Sequence, residues 1–209
     1  ITFAEFLLPH ARGLADDLRL DVWLMGDMMP GEREFVSPDF VQLGTRLACV
    51  ELIRSGVTCF ADMYYFEEDV ARATAEAGLR AVCSQTVLKF PTPDAASYED
   101  SLAAARDFIQ RWKGHALIEP SVAPHAPYTC TPEILRATAQ LAVEFDVPLH
   151  THLSETALEV EKIVEVQQAQ IKENIQLQKF NRSLANLWVK IKKQLVKFKN
   201  SWSSKWGDR

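Results

Sequence analysis

Several features are scarce or missing in this chain of 209 residues, and each absence excludes something. No stretch approaches the roughly 18 consecutive apolar residues of a membrane-spanning helix, so a membrane protein is not expected. The start, Ile1-Thr2-Phe3-Ala4-Glu5, has neither the basic segment nor the apolar run of a secretory leader. The four cysteines, Cys49, Cys59, Cys83 and Cys130, contain no C-x-x-C pair, which argues against a cysteine metal ribbon. Three of them lie in apolar stretches where a free thiol behaves as a small hydrophobe, so a reducing, cytoplasmic setting is expected. There is no strong excess of one charge: the net is −5 and the pI about 5.6, which gives no reason to expect nucleic acid or anionic lipid as a partner. With 47% hydrophobic residues the chain can bury a substantial core, and a small-molecule site suits it better.

From about residue 36 the sequence alternates between helix-length amphipathic runs and short apolar strands. Ser37-Pro38 starts a helix, with Ser at the cap and Pro in the first turn, that runs through Phe40, Leu43, Leu47 and Val50 to Gly56. A strand is expected over 57–63, a helix over 67–77 ended by Gly78, and a strand over 79–83. The pattern continues with a helix over 98–112, a strand over 116–123, a helix from Thr131-Pro132 to Phe145 and a strand over 147–152. Four βα-type units of this kind imply a parallel sheet, either covered on both faces or bent into a barrel. A complete (β/α)8 barrel takes roughly 250 residues, so about half of one is expected.

Near residue 162 the composition changes. Every proline lies at or before Pro148, and the one glycine after it is Gly207. From Lys162 onward eleven Lys or Arg face Glu165, Glu173 and Asp208, a net of +8, so the preceding part carries about −13. Leu177, Phe180, Leu184, Leu187, Ile191 and Phe198 recur at spacings of three and four, missing a beat at Gln194. This is the seam of an amphipathic or coiled-coil helix. Two regions are therefore expected: 1–161 as the partial barrel and 162–209 as a basic helical tail, either packed on the barrel or available to a partner helix. Trp188, Trp202 and Trp206 at helical spacing read as core more readily than as a membrane belt.

The densest polar cluster is His150-Thr151-His152-Leu153-Ser154-Glu155-Thr156, at the end of the expected fourth strand. Side chains two apart on a strand share a face, so His150 and His152 point the same way, with Glu155 in the loop beyond. The carboxyl ends of parallel strands are where barrel enzymes keep catalytic groups. A second cluster, Pro124-His125-Ala126-Pro127-Tyr128-Thr129-Cys130, follows the expected third strand. Its prolines stiffen a loop that presents one imidazole, which suits either a substrate contact or an ordinary turn.

Together with Arg12-Gly13-Leu14-Ala15-Asp16-Asp17-Leu18, Trp23-Leu24, Phe60-Ala61-Asp62-Met63-Tyr64 and Gly78-Leu79-Arg80-Ala81, these motifs fall in a familiar order. Residues 11 to about 161 resemble the amidohydrolase superfamily, in the branch of 5′-methylthioadenosine/S-adenosylhomocysteine deaminases and related chlorohydrolases. The resemblance implies a barrel hydrolase in which Zn2+ activates water for attack on an amino-heterocycle or nucleoside substrate. It implies that His152 is a metal ligand, that Glu155 is the catalytic acid/base, and that His125, Glu32 and Trp23 bind substrate. His150 matches no family role and reads as a core histidine.

The departures from the family pattern matter as much. Phe3 and Glu5 stand where the family carries a His-x-His ligand pair; Glu5 is a candidate carboxylate ligand and His10 lies nearby. No histidine follows residue 152, and the one Asp after Lys162 is Asp208. A catalytic zinc generally takes three protein ligands, so this chain by itself is expected to be inactive. The alternative is a noncatalytic, truncated or fused product whose tail mediates assembly. Gln85 and Ser97 stand where S-adenosylhomocysteine-binding members place arginines, which favours a substrate without a carboxylate. A partial barrel leaves strand edges unpaired, so the chain is expected to form a homo-oligomer or to bind a complementary half. Elution from a size-exclusion column as a compact monomer would contradict that.

Overall fold

The computed structural model describes residues 18–206. Phe3, Glu5, His10 and the Arg12–Asp17 stretch lie outside the described residues, as do the side chains of Leu184, Leu187, Trp188, Ile191 and Phe198. The chain forms two compact units, one extending to Thr156 and one beginning at Ala157.

In the first unit a short helix α1 (Leu20–Val22) runs into a wide π-helical turn (Trp23–Met28) and then α2 (Met29–Phe35). There follow α3 (Pro38–Arg54), β1 (Cys59–Tyr64), α4 (Glu67–Glu76), β2 (Arg80–Val87), α5 (Tyr98–Trp112), β3 (Ile118–Pro124) and α6 (Pro132–Phe145). The caps behave as the sequence indicates. Ser37 Oγ accepts from Phe40 N at 3.3 Å and Thr131 Oγ1 from Ile134 N at 3.4 Å, each ahead of a proline in the first turn. Gly56 and Gly78 reverse the chain after α3 and α4 with φ of +78° and +76°, a region that side chains rarely adopt.

The three strands form one parallel sheet in the order β1-β2-β3. Cys59 pairs with Arg80 and Tyr64 with Gln85, while Ala81 pairs with Ile118 and Val87 with Pro124. Consecutive strands are neighbours throughout, which is the winding that barrels use; a doubly wound sheet reverses its order. β2 runs farther than the expected 79–83. The segment 147–152, expected as a fourth strand, touches β3 through a single parallel bridge, Val122 with Leu149. Val122 N bonds Pro148 O at 3.2 Å and His150 N bonds Val122 O at 3.3 Å. Pro148 has no N–H to offer a ladder, and beyond His150 the chain turns away to bond the loop after β3, His152 N reaching His125 O at 2.9 Å.

Two apolar clusters hold the layers together. Val41, Ala48, Val70 and Ala71 of α3 and α4 pack on Ala81, Cys83 and Ile118, while Ala105, Ile109, Ile134 and Leu141 of α5 and α6 pack on Val87 and Val122. Arg106 of α5 grips Glu144 of α6 with its two terminal guanidinium nitrogens. Cys49, Cys83 and Cys130 are buried, Cys59 is exposed, and all four are free thiols.

The second unit is one helix, α7 (Ala157–Trp206), which begins five residues before the change in composition. Val160, Val164, Ile171, Ile175, Leu177 and Phe180 are all exposed on it. Among the described residues no helix is long and apolar enough to cross a membrane.

Ile134 is 1% exposed and Val143, on the same helix, is 82% exposed. Denaturant titration is expected to show Ile134→Ala costing about 2–5 kcal/mol and Val143→Ala within about 0.5 kcal/mol of the parent. Equal losses would mean that α6 does not pack as described.

Candidate active site

The carboxyl ends of the three strands and the loops beyond them enclose a cleft of about 180 Å³. Asp62 and Tyr64 reach it from β1, Thr86 and Leu88 from β2 and the residues just after it. His125 enters from the loop after β3, and His150, His152 and Glu155 from the segment after α6. Trp23 and Glu32 close the remaining side from the π-helical turn and α2. All five residues named from sequence, Trp23, Glu32, His125, His152 and Glu155, therefore line one cavity. His150, which read as a core histidine, lines it as well and is only partly buried.

Local structure explains how each group is held. In Pro124-His125-Ala126-Pro127 the backbone is tied down by His125 N to Val87 O at 3.2 Å and Cys130 N to Ala126 O at 3.0 Å. Thr129 Oγ1 accepts from Ala126 N at 3.1 Å and lies 2.9 Å from His125 Nδ1. The His125 ring meets His152 edge-on, with centroids 5.0 Å apart and planes at 77°. Ser154 adopts a left-handed conformation, φ +59°, and this turn brings Glu155 back to the cleft, where its Oε2 accepts from the Tyr128 hydroxyl at 2.7 Å. His150 Nδ1 lies 2.8 Å from Ser84 Oγ.

The charge states are unusual. Burial pushes the Glu32 carboxyl up to about 7, opposed by the neighbouring Tyr64 hydroxyl. Burial also raises Asp62 and Glu67, whose carboxyls face each other beneath the cleft. Neither Asp62 oxygen nor Glu67 Oε2 is bonded to a protein donor among the described residues, while Glu67 Oε1 accepts from Tyr64 N at 2.9 Å. Burial, assisted by His152, lowers His125 to about 4, and the same two causes lower His150. Both rings are neutral at neutral pH.

Sequence reasoning passed over Asp62, Glu67, Tyr64, Tyr128 and Ser84. One signal was available: Asp62 is the charged residue in an otherwise apolar strand, near its carboxyl end. Glu67 reads as an ordinary first-turn helix acid, and nothing local reveals its burial.

The described donors do not amount to a zinc site. Among the described residues no three of His, Cys, Asp or Glu converge closely enough to hold a metal ion. His125 Nδ1 is engaged by Thr129, and Glu155 Oε2 by Tyr128.

Parallel βα units that gather imidazoles and carboxyls at their strand ends have the layout of barrel enzymes. The chain belongs to the amidohydrolase family, whose sequence pattern matches residues 9–186. It is 50% identical over 151 residues to a 5-methylthioadenosine/S-adenosylhomocysteine deaminase of Thermodesulfovibrio yellowstonii, covering 72% of this chain and 34% of the relative. A deaminase of the same name from Aquifex aeolicus is 48% identical over 172 residues, covering 79% of this chain and 40% of the relative. The chain thus spans little more than a third of the length of these relatives. Among solved structures, an adenosine deaminase of Xanthomonas campestris with bound zinc superposes with a TM-score of 0.73 at 37% identity, covering 78% of this chain and 37% of that one. A guanine deaminase from C. acetobutylicum, at 20% identity and a TM-score of 0.65, shares the fold.

The shifted groups make stability depend on pH. A carboxyl whose folded pKa is raised contributes most below its unfolded value and loses that contribution as pH rises through the folded value; a histidine with a lowered pKa works the other way, its contribution complete above about 6.5 and lost as pH falls. Between about pH 6.5 and 8 the carboxyls act alone, so the unfolding midpoint is expected to fall, and Glu32→Gln to flatten the slope. A midpoint that rises across this window would contradict the buried placement of Glu32.

Proposed function

We propose that this chain carries the nucleoside-binding and proton-handling part of a hydrolytic deaminase for an adenine nucleoside of the 5′-methylthioadenosine or adenosine type. In this reading residues 1–161 are a segment of a (β/α)8 barrel and 162–209 a basic helical tail, into which the family pattern extends as far as residue 186. The observation that carries it is the convergence of Trp23, Glu32, His125, His152 and Glu155 in one cleft at the strand ends. The names of the relatives from Thermodesulfovibrio yellowstonii and Xanthomonas campestris support the substrate class.

Each residue has a role suited to its surroundings. Trp23 offers an aromatic wall, and Glu32 accepts hydrogen bonds from the ribose hydroxyls. Neutral His125 contacts the heterocycle. Hydrolytic deamination replaces ammonia with the elements of water, so one proton must travel from the attacking water to the departing nitrogen. Glu155, held by the Tyr128 hydroxyl at 2.7 Å, is the carboxylate placed to carry it. Zn2+ is the cofactor that the resemblance implies, and His152 is the side chain this chain would contribute. Because the described donors fall short of three, turnover by this chain alone is expected to be negligible.

The loop around Gln85 bears on the choice of substrate. Gln85 Nε2 donates to Asp94 Oδ2 at 2.9 Å, and Ser97 is spent capping α5, its Oγ accepting from Asp100 N at 3.2 Å. Ser97 has already given its hydrogen to Asp100 Oδ2, and Asp94 beside Gln85 would repel a substrate carboxylate.

A second reading is favoured by the exposed apolar side chains along α7: a noncatalytic chain whose helix mediates assembly, with coiled-coil pairing as its mode.

Calorimetric titration of the full chain is expected to show binding of 5′-methylthioadenosine in preference to S-adenosylhomocysteine. Glu32→Gln is expected to weaken it by roughly 10- to 100-fold, the loss of hydrogen bonds to a carboxylate. Absence of any nucleoside binding would favour the assembly reading.

A further inference from the structure

His150 is the imidazole for which the family resemblance supplies no role, and its buried neighbours define its chemistry. Ser84 on β2 and Ser121 on β3 are both fully buried and hydrogen-bonded to each other through their hydroxyls. Ser84 Oγ also lies 2.8 Å from His150 Nδ1, and Ser121 Oγ lies 3.5 Å from Cys83 O. The direction of donation is set at the inner end of this chain. Cys83 O can only accept, so Ser121 donates to it. Ser84 then donates its single hydrogen to Ser121, which leaves lone pairs alone facing the ring. With donation in this order, Nδ1 of His150 carries the hydrogen and Nε2 keeps its lone pair. Among the described residues no group bonds Nε2, and the ring stands in the wall of the cleft beside His152.

We propose that His150 is a recognition residue, its Nε2 accepting a hydrogen bond from the exocyclic amine of the bound heterocycle, with Ser84 and Ser121 as the residues that position it. The assignment rests on the adenine-nucleoside reading above and deepens it. An acceptor at this place favours an amino-purine, which offers an N–H. The 6-oxo purine that deamination produces turns a carbonyl oxygen toward the same lone pair and is repelled, so the site discriminates substrate from product.

The test is nuclear magnetic resonance on the full chain with 15N-labelled histidine, in which long-range couplings distinguish the nitrogen that bears hydrogen from the one that does not. The parent is expected to show a protonated Nδ1 and a bare Nε2 at His150. Ser84→Ala is expected to give a mixture of the two tautomers, and Ser84→Thr, which keeps the hydroxyl, to restore the single form. A merely structural role for the serine would not produce that rescue. Saturation with 5′-methylthioadenosine is expected to shift Nε2 of His150, and 5′-methylthioinosine at the same concentration to leave it in place. A parent with its hydrogen on Nε2 overturns the proposal. So does an Nε2 that stays still while His125 and His152 respond to the nucleoside, and that result leaves the nucleoside reading standing. Silence from all three rings removes the nucleoside reading and the ligand assigned to His150 with it.

Discussion

The site depends on the parallel register of β1, β2 and β3. Tyr64 stands beside Gln85 and Val87 beside Pro124, so the three strands end at nearly the same level and release their loops on one side. The constraint comes from packing as well as from hydrogen bonds. β2 lies between both neighbours, and Cys83 and Val87 bury into different apolar clusters on it. Slipping a strand by one residue would move Asp62 or Ser84 to the opposite face and separate the groups that now meet.

That edge is polar inside and poor in compensation. Glu32, Asp62 and Glu67 are buried, and the carboxyls respond by holding protons at pH values where exposed ones would have lost them. The imidazoles of His125 and His150 respond oppositely, burial favouring their neutral forms. Such groups stabilise little by themselves, since burying a polar group without a full set of partners costs free energy. Their concentration at a strand-end cleft is therefore better explained by function than by folding.

Much of this was legible in the sequence. Ser37-Pro38 and Thr131-Pro132 marked their helix starts, because a side-chain cap and a preset φ act locally. The helix over 98–112 was readable from its apolar spacing alone. The five candidate residues named through motif resemblance line one cleft. What escaped depends on contacts distant in sequence. The apolar run at Val147-Pro148-Leu149 looks like a strand, yet a proline and the competing pull of the His125 loop reduce it to one bridge. The partner of His150, Ser84, is 66 positions away. The start of α7 at Ala157 precedes the compositional change, because a helix can begin before its charge pattern alters.

Trp23, Glu32, His125, His152 and Glu155 meet in one cleft, and of these only His152 is a ligand of the metal that the resemblance implies. Zinc per chain, measured by elemental analysis on protein purified without chelator and then exposed to a mild one, tests that claim most directly. Far less than one equivalent is expected to be retained. Retention of one equivalent would contradict it, and would mean that donors such as Glu5 or His10, or a neighbouring copy, complete a site around His152.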